Sequence, residues 1–178
     1  TVQNNAIVLR ATGASLAAYG VGAVSSSKLV IERNRVSDPG MVTSGDYTAL
    51  RLRDADDVIV RCNDFLSTGT GLGRAHLVRL SEGSPGVQLR GNVFFSSWTV
   101  STSSSLISVP ADSQSGFISD YNAFFSSTPG VSFVWGAAAA QGVGAWQAAS
   151  GVDANSLQGH PQWFNPSAGV EDFHPRSH

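Results

Sequence analysis

An asparagine returns at almost constant intervals through most of this chain. The five copies, spaced 29, 29, 29 and 30 residues apart, are Asn5, Asn34, Asn63, Asn92 and Asn122. They share a local pattern, with apolar residues five and three positions before the asparagine and two positions after it, and Ser119 is the one polar exception. A fixed period in this range is typical of stacked-repeat proteins, in which each repeat forms one coil of a solenoid.

The apolar runs within each repeat favour strands. They are short, rich in β-branched and aromatic residues, and bounded by Gly, Pro, Ser and Asp, whereas helical solenoids need longer amphipathic segments. A β-propeller blade needs a longer period. Two or three short strands per repeat fit a coil that climbs one strand spacing, about 4.8 Å, per turn. The sequence therefore predicts an all-β fold, a right-handed single-stranded parallel β-helix of about five coils.

Alternation along the strands assigns the side chains to two faces. Positions −5, −3 and +2, counted from the asparagine, are predicted to point inward, and positions −4 and −2 outward. The predicted core columns contain Leu29, Ile31, Val36, Val58, Val60, Phe65, Val87, Leu89, Phe94, Phe117 and Phe124. Stacking also places asparagine on asparagine at the bend, where side-chain amides can form a hydrogen-bonded ladder. Asparagine in a turn also tolerates the left-handed backbone region.

Overall composition restricts the partners of the chain. Its 178 residues carry a net charge of −2, so no global field favours nucleic acid or an anionic membrane surface. No apolar run is long enough to span a bilayer, and no signal peptide is visible. We therefore expect neither nucleic acid nor a membrane as a partner. The single cysteine, Cys62, excludes an internal disulfide.

The chain divides into three segments. Residues 1–140 hold the coils, residues 141–175 form a C-terminal cap segment, and residues 176–178 match a vector-derived junction before a polyhistidine tag. A solenoid needs a cap because its last coil otherwise exposes an unpaired strand edge and an apolar end. The aromatic residues with the bulk for this role are Trp146, Trp163, Phe164 and Phe173. At the other end, self-association through an uncovered first coil is an open alternative.

The cap segment also carries several short motifs. They are, in chain order, Trp146-Gln147, Gly151-x-Asp153-x-x-Ser156, His160-Pro161-Gln162-Trp163-Phe164 and Asp172-Phe173. Residues 145–174 closely resemble, and residues 1–135 loosely resemble, bacterial right-handed parallel β-helix proteins of the pectate-lyase-like superfamily. Two features depart from that family, because His160 stands where the family has Asp and the family's Ser-Pro-Ala-Ile-Asp-like ending is absent.

The outward position −2 carries a column of charges. Down four successive coils it holds Glu32, Arg61, Arg90 and Asp120. Neighbours one strand apart would pair Glu32 with Arg61, and Arg90 with Asp120, as a solvated ion-pair ladder in which each pair contributes about 0.2–1 kcal/mol. The alternative is a charged strip along a groove that binds an extended acidic polysaccharide. The resemblance implies catalytic roles for these four residues, because lyases of the family use Arg or Lys beside carboxylates, often with calcium.

A second arginine group lies on the outer face of another predicted strand. It comprises Arg51, Arg53 and Arg79, with Arg74 in the loop before. Arg51 and Arg79 are predicted on adjacent coils, where like charges repel unless an anion or a carboxylate intervenes. The acids Asp54, Asp56 and Asp57 follow directly and could satisfy them, and calcium is an alternative ligand of these acids.

Two further residues bear on ligand binding. Trp98, at the centre of a Ser-rich insertion, is the exposed-looking aromatic that could stack on a sugar ring. With Arg51 and Arg79 it completes the predicted substrate-binding set. His76 is interpreted as a partly exposed structural residue. No motif with metal-ligand spacing is present in the sequence.

The expected function follows mainly from the resemblance. It implies a polysaccharide-associated protein, or the C-terminal part of a lyase that acts on acidic glycans, located outside the cell or at its surface. A hydrolase is disfavoured because Glu32 and Asp120 lie about 14 Å apart at 4.8 Å per coil. The alternatives are a non-catalytic carbohydrate-binding or adhesin module and a truncated fragment without activity. A polysaccharide or surface glycan is the expected partner in the first two cases.

Overall fold

A computed structural model of the chain describes residues 1–9, 17–38, 45–70, 72–98, 104–128, 132–160, 163–165 and 172–175. They form an all-β parallel solenoid of about four turns, compared with the five coils predicted. Three sheets wrap the solenoid, and each coil contributes a strand to every sheet. The described residues contain no helix that is long and apolar enough to cross a membrane.

Sheet 1 consists of the parallel strands β1 (Val2–Gln3), β4 (Val30–Glu32), β7 (Ile59–Arg61), β10 (Gln88–Arg90) and β13 (Ile118–Asp120). Sheet 2 consists of β2 (Ala6–Val8), β5 (Arg35–Ser37), β8 (Asp64–Ser67), β11 (Val93–Ser96), β14 (Ala123–Ser126) and β17 (Leu157–Gln158). Sheets 1 and 2 meet at the bend that contains the repeated asparagine.

Sheet 3 completes each coil. It consists of β3 (Ala18–Ser27), β6 (Tyr47–Asp56), β9 (Ala75–Ser81), β12 (Ser105–Val109) and β15 (Ser132–Trp135), with β16 (Ala138–Ala140) antiparallel at its end. A 3-10 turn covers Ala111–Ser113, and a short hairpin pairs β18 (Trp163–Asn165) with β19 (Asp172–Pro175).

The predicted core register is confirmed. Ten of the eleven predicted inward residues are at most 6% exposed, and Leu29 packs against the same core although it is only partly buried. Strand pairing places Phe94 between Phe65 and Phe124, with ring centroids 5.4 and 5.1 Å apart and interplanar angles of 10° and 9°. Identical phenylalanine side chains thus stack along the solenoid axis in its interior.

The asparagine ladder is also confirmed. The backbone N–H and the side-chain Nδ2 of Asn34 both donate to Oδ1 of Asn63, at 2.9 and 3.1 Å, and the same pair of bonds recurs from Asn5 to Asn34, from Asn63 to Asn92 and from Asn92 to Asn122. Each buried Nδ2 also donates to a strand carbonyl, as Asn63 does to Ile31 at 2.9 Å. Burial of these amides therefore leaves few of their groups unpartnered.

The left-handed backbone conformation occurs one position before each repeated asparagine. The residue before each asparagine, and not the asparagine, has the positive φ: 58° at Asn4, 53° at Arg33, 54° at Cys62, 61° at Gly91 and 58° at Tyr121. The asparagine therefore keeps its side chain directed along the ladder while its predecessor makes the bend.

The last coil is covered by helix α1 (Val143–Ser150), which ends at Gly151 with φ 74°. Trp146 is fully buried and stacks on Phe133 at 5.1 Å. Its Nε1 donates to Asp153 at 2.7 Å, and Asp153 accepts a bond from Asn122 at 3.0 Å. Ser156 Oγ accepts a hydrogen bond from the Asn122 backbone N–H at 2.8 Å. Together, Asp153 and Ser156 thus accept the bonds that a further asparagine of the ladder would accept.

Further along the chain, His160 contacts a small apolar cluster on the outer face of sheet 2. Its ring lies 4.5 Å from the ring of Phe125 and 5.4 Å from that of Phe95. The other cap aromatics, Trp163, Phe164 and Phe173, have side chains outside the described residues.

Candidate functional site

The charged column at position −2 is in register on sheet 1. Strand pairing aligns Glu32 with Arg61, Arg61 with Arg90, and Arg90 with Asp120. Because parallel strands lie about 4.8 Å apart, these four side chains form a row parallel to the solenoid axis. The four predicted catalytic residues are therefore brought together, whereas the two predicted substrate-binding arginines are on sheet 3.

The first predicted ion pair of this column is confirmed. Arg61 Nε lies 2.7 Å from Glu32 Oε2, with the Glu32 side chain 12% exposed and the Arg61 side chain 52% exposed. An ion pair with one partner in solvent contributes little to stability, on the order of 1 kcal/mol or less. The guanidinium of Arg61 remains accessible to a ligand from its solvent side.

The second predicted ion pair is wrong. Asp120 accepts hydrogen bonds from the backbone N–H and from Nδ2 of Asn155, both at 2.8 Å, and no ion pair with Arg90 is present among the described residues. The side-chain bond from Asn155 is the main cause that holds the pKa of Asp120 below its usual value, and the charge of Arg90 adds to it. The cap segment thus engages the Asp120 carboxylate, and the exposed Arg90 guanidinium has no ion pair with any described residue.

A second row of side chains runs beside this column at position −1. It holds Arg33, Cys62, Gly91 and Tyr121. Tyr121 is 63% exposed, and its backbone has a positive φ of 58°, a conformation that costs about 1–2 kcal/mol for a residue with a side chain. We call these two rows the asparagine-turn edge: Glu32, Arg33, Arg61, Cys62, Arg90, Gly91, Asp120 and Tyr121.

An open cavity of about 340 Å³ lies at one end of the asparagine-turn edge. Arg33 and Cys62 line it together with Arg35 and Asp64 of sheet 2. The Asp64 carboxylate lies 3.7 Å from Arg35 Nε, and its pKa is raised because burial outweighs the charge of Arg35. The edge therefore combines three exposed arginines, Arg33, Arg61 and Arg90, with a concave surface and one exposed aromatic ring.

Arg51 and Arg79 are neighbours on sheet 3, as predicted. The expectation that Asp54, Asp56 and Asp57 satisfy this arginine group is wrong. Arg53 pairs instead with Glu82 at 2.7 Å, and Asp54 accepts a bond from Ser25 at 2.9 Å. The described residues contain no group of three or more His, Cys, Asp and Glu side chains that could hold a metal ion, and a calcium site at the three aspartates therefore has no support among them.

The exposure predicted for Trp98 is wrong. Its side chain is 1% exposed and belongs to the main hydrophobic core, and its Nε1 has no hydrogen-bond partner among the described residues. A ring with this burial cannot stack on a sugar in solvent. Tyr121 is the exposed aromatic residue beside the charged column that the sequence analysis did not select.

A buried carboxylic acid was also missed. Asp38 is fully buried. Its carboxylate accepts hydrogen bonds from Ser67 Oγ at 2.6 Å and from the Thr68 backbone N–H at 2.7 Å. Burial raises the pKa of Asp38 to about 7, although these hydrogen bonds oppose the effect. A polar residue at position +4 of the last four repeats is the signal in the sequence: Asp38, Ser67, Ser96 and Ser126.

Replacing Asp38 with asparagine is expected to change the pH dependence of stability. Since the ordinary pKa is 3.8 and the folded value is about 7, the folded chain holds a proton between these values that the unfolded chain releases. Stability is therefore highest below the lower value and falls as the pH rises towards 7. We expect Asp38→Asn to remove a fall on the order of 4 kcal/mol, since the two pKa values differ by about 3 and each pKa unit corresponds to 1.36 kcal/mol.

The measurement is the free energy of unfolding by urea at a series of pH values between 4 and 8. The exposed Asp56→Asn is the matched control, and its curve should run parallel to that of the parent chain. Parallel curves for the parent and Asp38→Asn would contradict a raised pKa at Asp38.

Comparisons of the chain with protein-family models, with curated proteins and with solved structures found no match. The parallel β-solenoid and the geometry of the asparagine-turn edge consequently stand on the residues and strand pairing described above.

Proposed function

We propose that the chain binds an extended acidic polysaccharide along the asparagine-turn edge. The observation that carries this proposal is the in-register pair Arg61 and Arg90, two exposed guanidinium groups on adjacent coils in a row parallel to the solenoid axis. A linear uronate polymer presents carboxylates in a row, and guanidinium groups recognise carboxylates through paired N–H donors. The long repetitive face of a solenoid suits such a repetitive ligand.

Two other parts of the edge support this ligand class. Arg33 adds a third exposed cation beside the cavity, and Tyr121 offers an exposed ring at the other end of the edge. An aromatic ring can pack against the apolar face of a sugar while its hydroxyl group keeps a polar contact. Cations thus provide affinity for the carboxylates, and the ring provides a contact specific to the sugar.

The pectate-lyase-like superfamily is the family that we propose for this solenoid, with a location outside the cell or at its surface. The support is the resemblance of residues 145–174 to the cap segments of that superfamily. This step is an analogy of fold and motif, because a fold alone does not determine a function.

Binding can be tested with polygalacturonate, alginate and chondroitin, with dextran as the neutral polymer. We expect one acidic polymer to bind, and the variant Arg61→Ala/Arg90→Ala to bind about tenfold more weakly, because two exposed charge pairs together contribute about 1.4 kcal/mol. Salt should weaken binding by the parent chain more than binding by the variant. Affinity electrophoresis or biolayer interferometry measures each dissociation constant.

Arg53→Ala is the matched control, since Arg53 is similarly exposed but lies on sheet 3 in an ion pair with Glu82. Its affinity should equal that of the parent. Equal affinities of the parent and the Arg61→Ala/Arg90→Ala variant, or equally tight binding of dextran, would overturn the proposal.

Elimination chemistry at the same edge is the second candidate function. Arg90 favours it, because an exposed guanidinium that holds no ion pair within the described residues can stabilise the enolate-like charge that forms beside a uronate carboxylate. Unsaturated sugar products absorb in the ultraviolet. Rising absorbance on one acidic polymer, abolished in Arg90→Ala, identifies a lyase, whereas binding without absorbance identifies a non-catalytic module.

A further inference from the structure

We propose a second anion-binding site, on the outer face of sheet 3, in which Arg51 and Arg79 together bind a doubly charged tetrahedral oxyanion, phosphate or sulfate. The two residues are paired in register on β6 and β9, so their backbones lie about 4.8 Å apart. Both side chains are partly buried. This site is on a different sheet from the asparagine-turn edge, and each proposal can therefore fail without the other.

No carboxylate among the described residues balances the charge of this arginine pair. Within the described part of the chain neither residue has a carboxylate at ion-pair distance, whereas Arg53 on the same strand as Arg51 is paired with Glu82. The positions that extend the column on either side are Gly22 and Ser108, which carry no charge. Like charges directly opposite each other on adjacent strands destabilise a sheet. An anion between them would remove this repulsion.

Arg51 is held in place for such a ligand. Its Nη1 donates to the hydroxyl group of Tyr19 at 3.0 Å, and its guanidinium carbon lies 5.0 Å from the centre of the Tyr19 ring. Its Nε is buried and has no hydrogen-bond partner among the described residues. A guanidinium that is already fixed loses less rotational freedom when it binds a ligand.

A tetrahedral oxyanion suits a position between the two guanidinium groups. Its oxygens point in several directions, so that N–H donors of Arg51 and Arg79 can reach different oxygens. Gly22 is the next position of the column beyond Arg51, and it places no side chain over the pair from that end.

The number of charges indicates the class of anion. Two guanidinium groups supply two positive charges, which a phosphate or sulfate dianion balances, whereas a carboxylate or a sulfate ester carries one negative charge. A phosphate monoester also has close to two charges near neutral pH. The dianion is thus either a free inorganic ion or the phosphate group of a larger molecule, such as a phosphorylated sugar.

His76 provides an internal reporter of this site. Its Nδ1 lies 2.8 Å from Ser105 Oγ, and its pKa is lowered to about 4 by burial first and then by the charges of Arg79 and Arg74, with Asp46 acting in the opposite direction. An anion on Arg79 would offset one of these positive charges. The pKa of His76 should therefore rise when the site is occupied.

The test is a nuclear magnetic resonance titration of the isotope-labelled chain at constant ionic strength. Inorganic phosphate and glucose 6-phosphate are added at pH 8, sulfate at the same pH, and acetate as the singly charged comparison. We expect saturable shifts of the β6 and β9 amide signals, with affinity for phosphate and sulfate at least about tenfold above that for acetate. Sulfate keeps both of its negative charges at acidic pH. In the presence of sulfate, the pKa of His76 should therefore rise from about 4.

Variants assign the effect to the two arginines. Arg51→Gln/Arg79→Gln should lose the saturable shifts and the rise in the His76 pKa, and Arg79→Gln alone serves if the double variant does not fold. Arg53→Gln, on the same face but already paired with Glu82, should behave as the parent chain.

If glucose 6-phosphate binds as tightly as inorganic phosphate, the site is assigned to phosphate groups of larger molecules. If inorganic phosphate binds clearly more tightly, the site is assigned to the free ion. Linear shifts without saturation, equal affinity for acetate, or unchanged binding in the arginine variants would overturn the proposal.

Discussion

Replacing Asn63 with alanine is expected to lower the free energy of unfolding by about 3–6 kcal/mol, because two or three buried polar groups lose their partners at about 1–3 kcal/mol each. Asn63 is fully buried, and its Oδ1 accepts both the backbone and side-chain N–H groups of Asn34. Its Nδ2 donates to Ile31 O, to Arg61 O and to Asn92 Oδ1 at 2.9–3.0 Å. Alanine provides none of these bonds, and the neighbouring groups are too buried to turn to water.

Urea unfolding followed by circular dichroism measures this loss. Asn5→Ala is the matched control at the end of the ladder, where the side chain is exposed and donates to Gln3 O and Asn34 Oδ1. We expect this control to lose about 1 kcal/mol or less, the net value of one or two exposed hydrogen bonds. If both variants lost the same amount, burial of the ladder would not be the source of its stabilising effect.

The ladder and the core could be predicted because they repeat. A side chain that occurs at the same place in every coil must contact its own copies when the coils stack, so the spacing of Asn34, Asn63 and Asn92 predicts direct contact between them. The same reasoning applies to the phenylalanine stack at position +2. Local propensity is a weaker guide, and the bend illustrates this: the positive φ is at Cys62 and not at Asn63. The pattern locates the bend, but it does not determine which residue turns.

The errors concern contacts that do not repeat. Register alone predicts an ion pair between Arg90 and Asp120, but the Asp120 carboxylate accepts a hydrogen bond from the Asn155 side chain of the cap segment instead. No period relates Asn155 to the coils, so no repeating pattern predicts its position beside Asp120. Trp98 is at position +6, where no other repeat has a tryptophan, and its serine neighbours predicted exposure, whereas it is in the core. Contacts between a coil and a unique segment depend on the path of the backbone.

The candidate site likewise has a repeating part, which could be predicted, and a non-repeating part, which could not. The column Glu32, Arg61 and Arg90 could be predicted because all three share position −2, and their register is as predicted. Tyr121 was missed as a binding residue because its position −1 holds a different residue type in every coil, so no repeating signal marks it. Its exposure follows from the bend, which directs the residue with positive φ away from the core. The repeat thus predicts the cationic row but not the residues that would set sugar specificity.

Replacing Phe94 with alanine is the other change with a large expected effect, a loss of about 3–5 kcal/mol in the free energy of unfolding. Phe94 is fully buried in the middle of the phenylalanine stack, and alanine leaves a cavity between Phe65 and Phe124 that rigid neighbouring coils cannot fill. Two stacked aromatic contacts are lost as well, each worth about 0.5–1.5 kcal/mol beyond the buried area. The loss should appear as a lower midpoint in urea unfolding.

Tyr121→Ala is the matched control for this change, since Tyr121 is an aromatic residue of the adjacent coil that is 63% exposed. Truncation of a surface side chain changes stability by about 0.5 kcal/mol or less, so this variant should unfold with the parent chain. Phe94→Leu should fall between the two, because leucine refills part of the cavity but cannot stack. A Phe94→Ala variant as stable as Tyr121→Ala would contradict the inward register of position +2, and with it the outward placement of every charged residue on which the proposed edge depends.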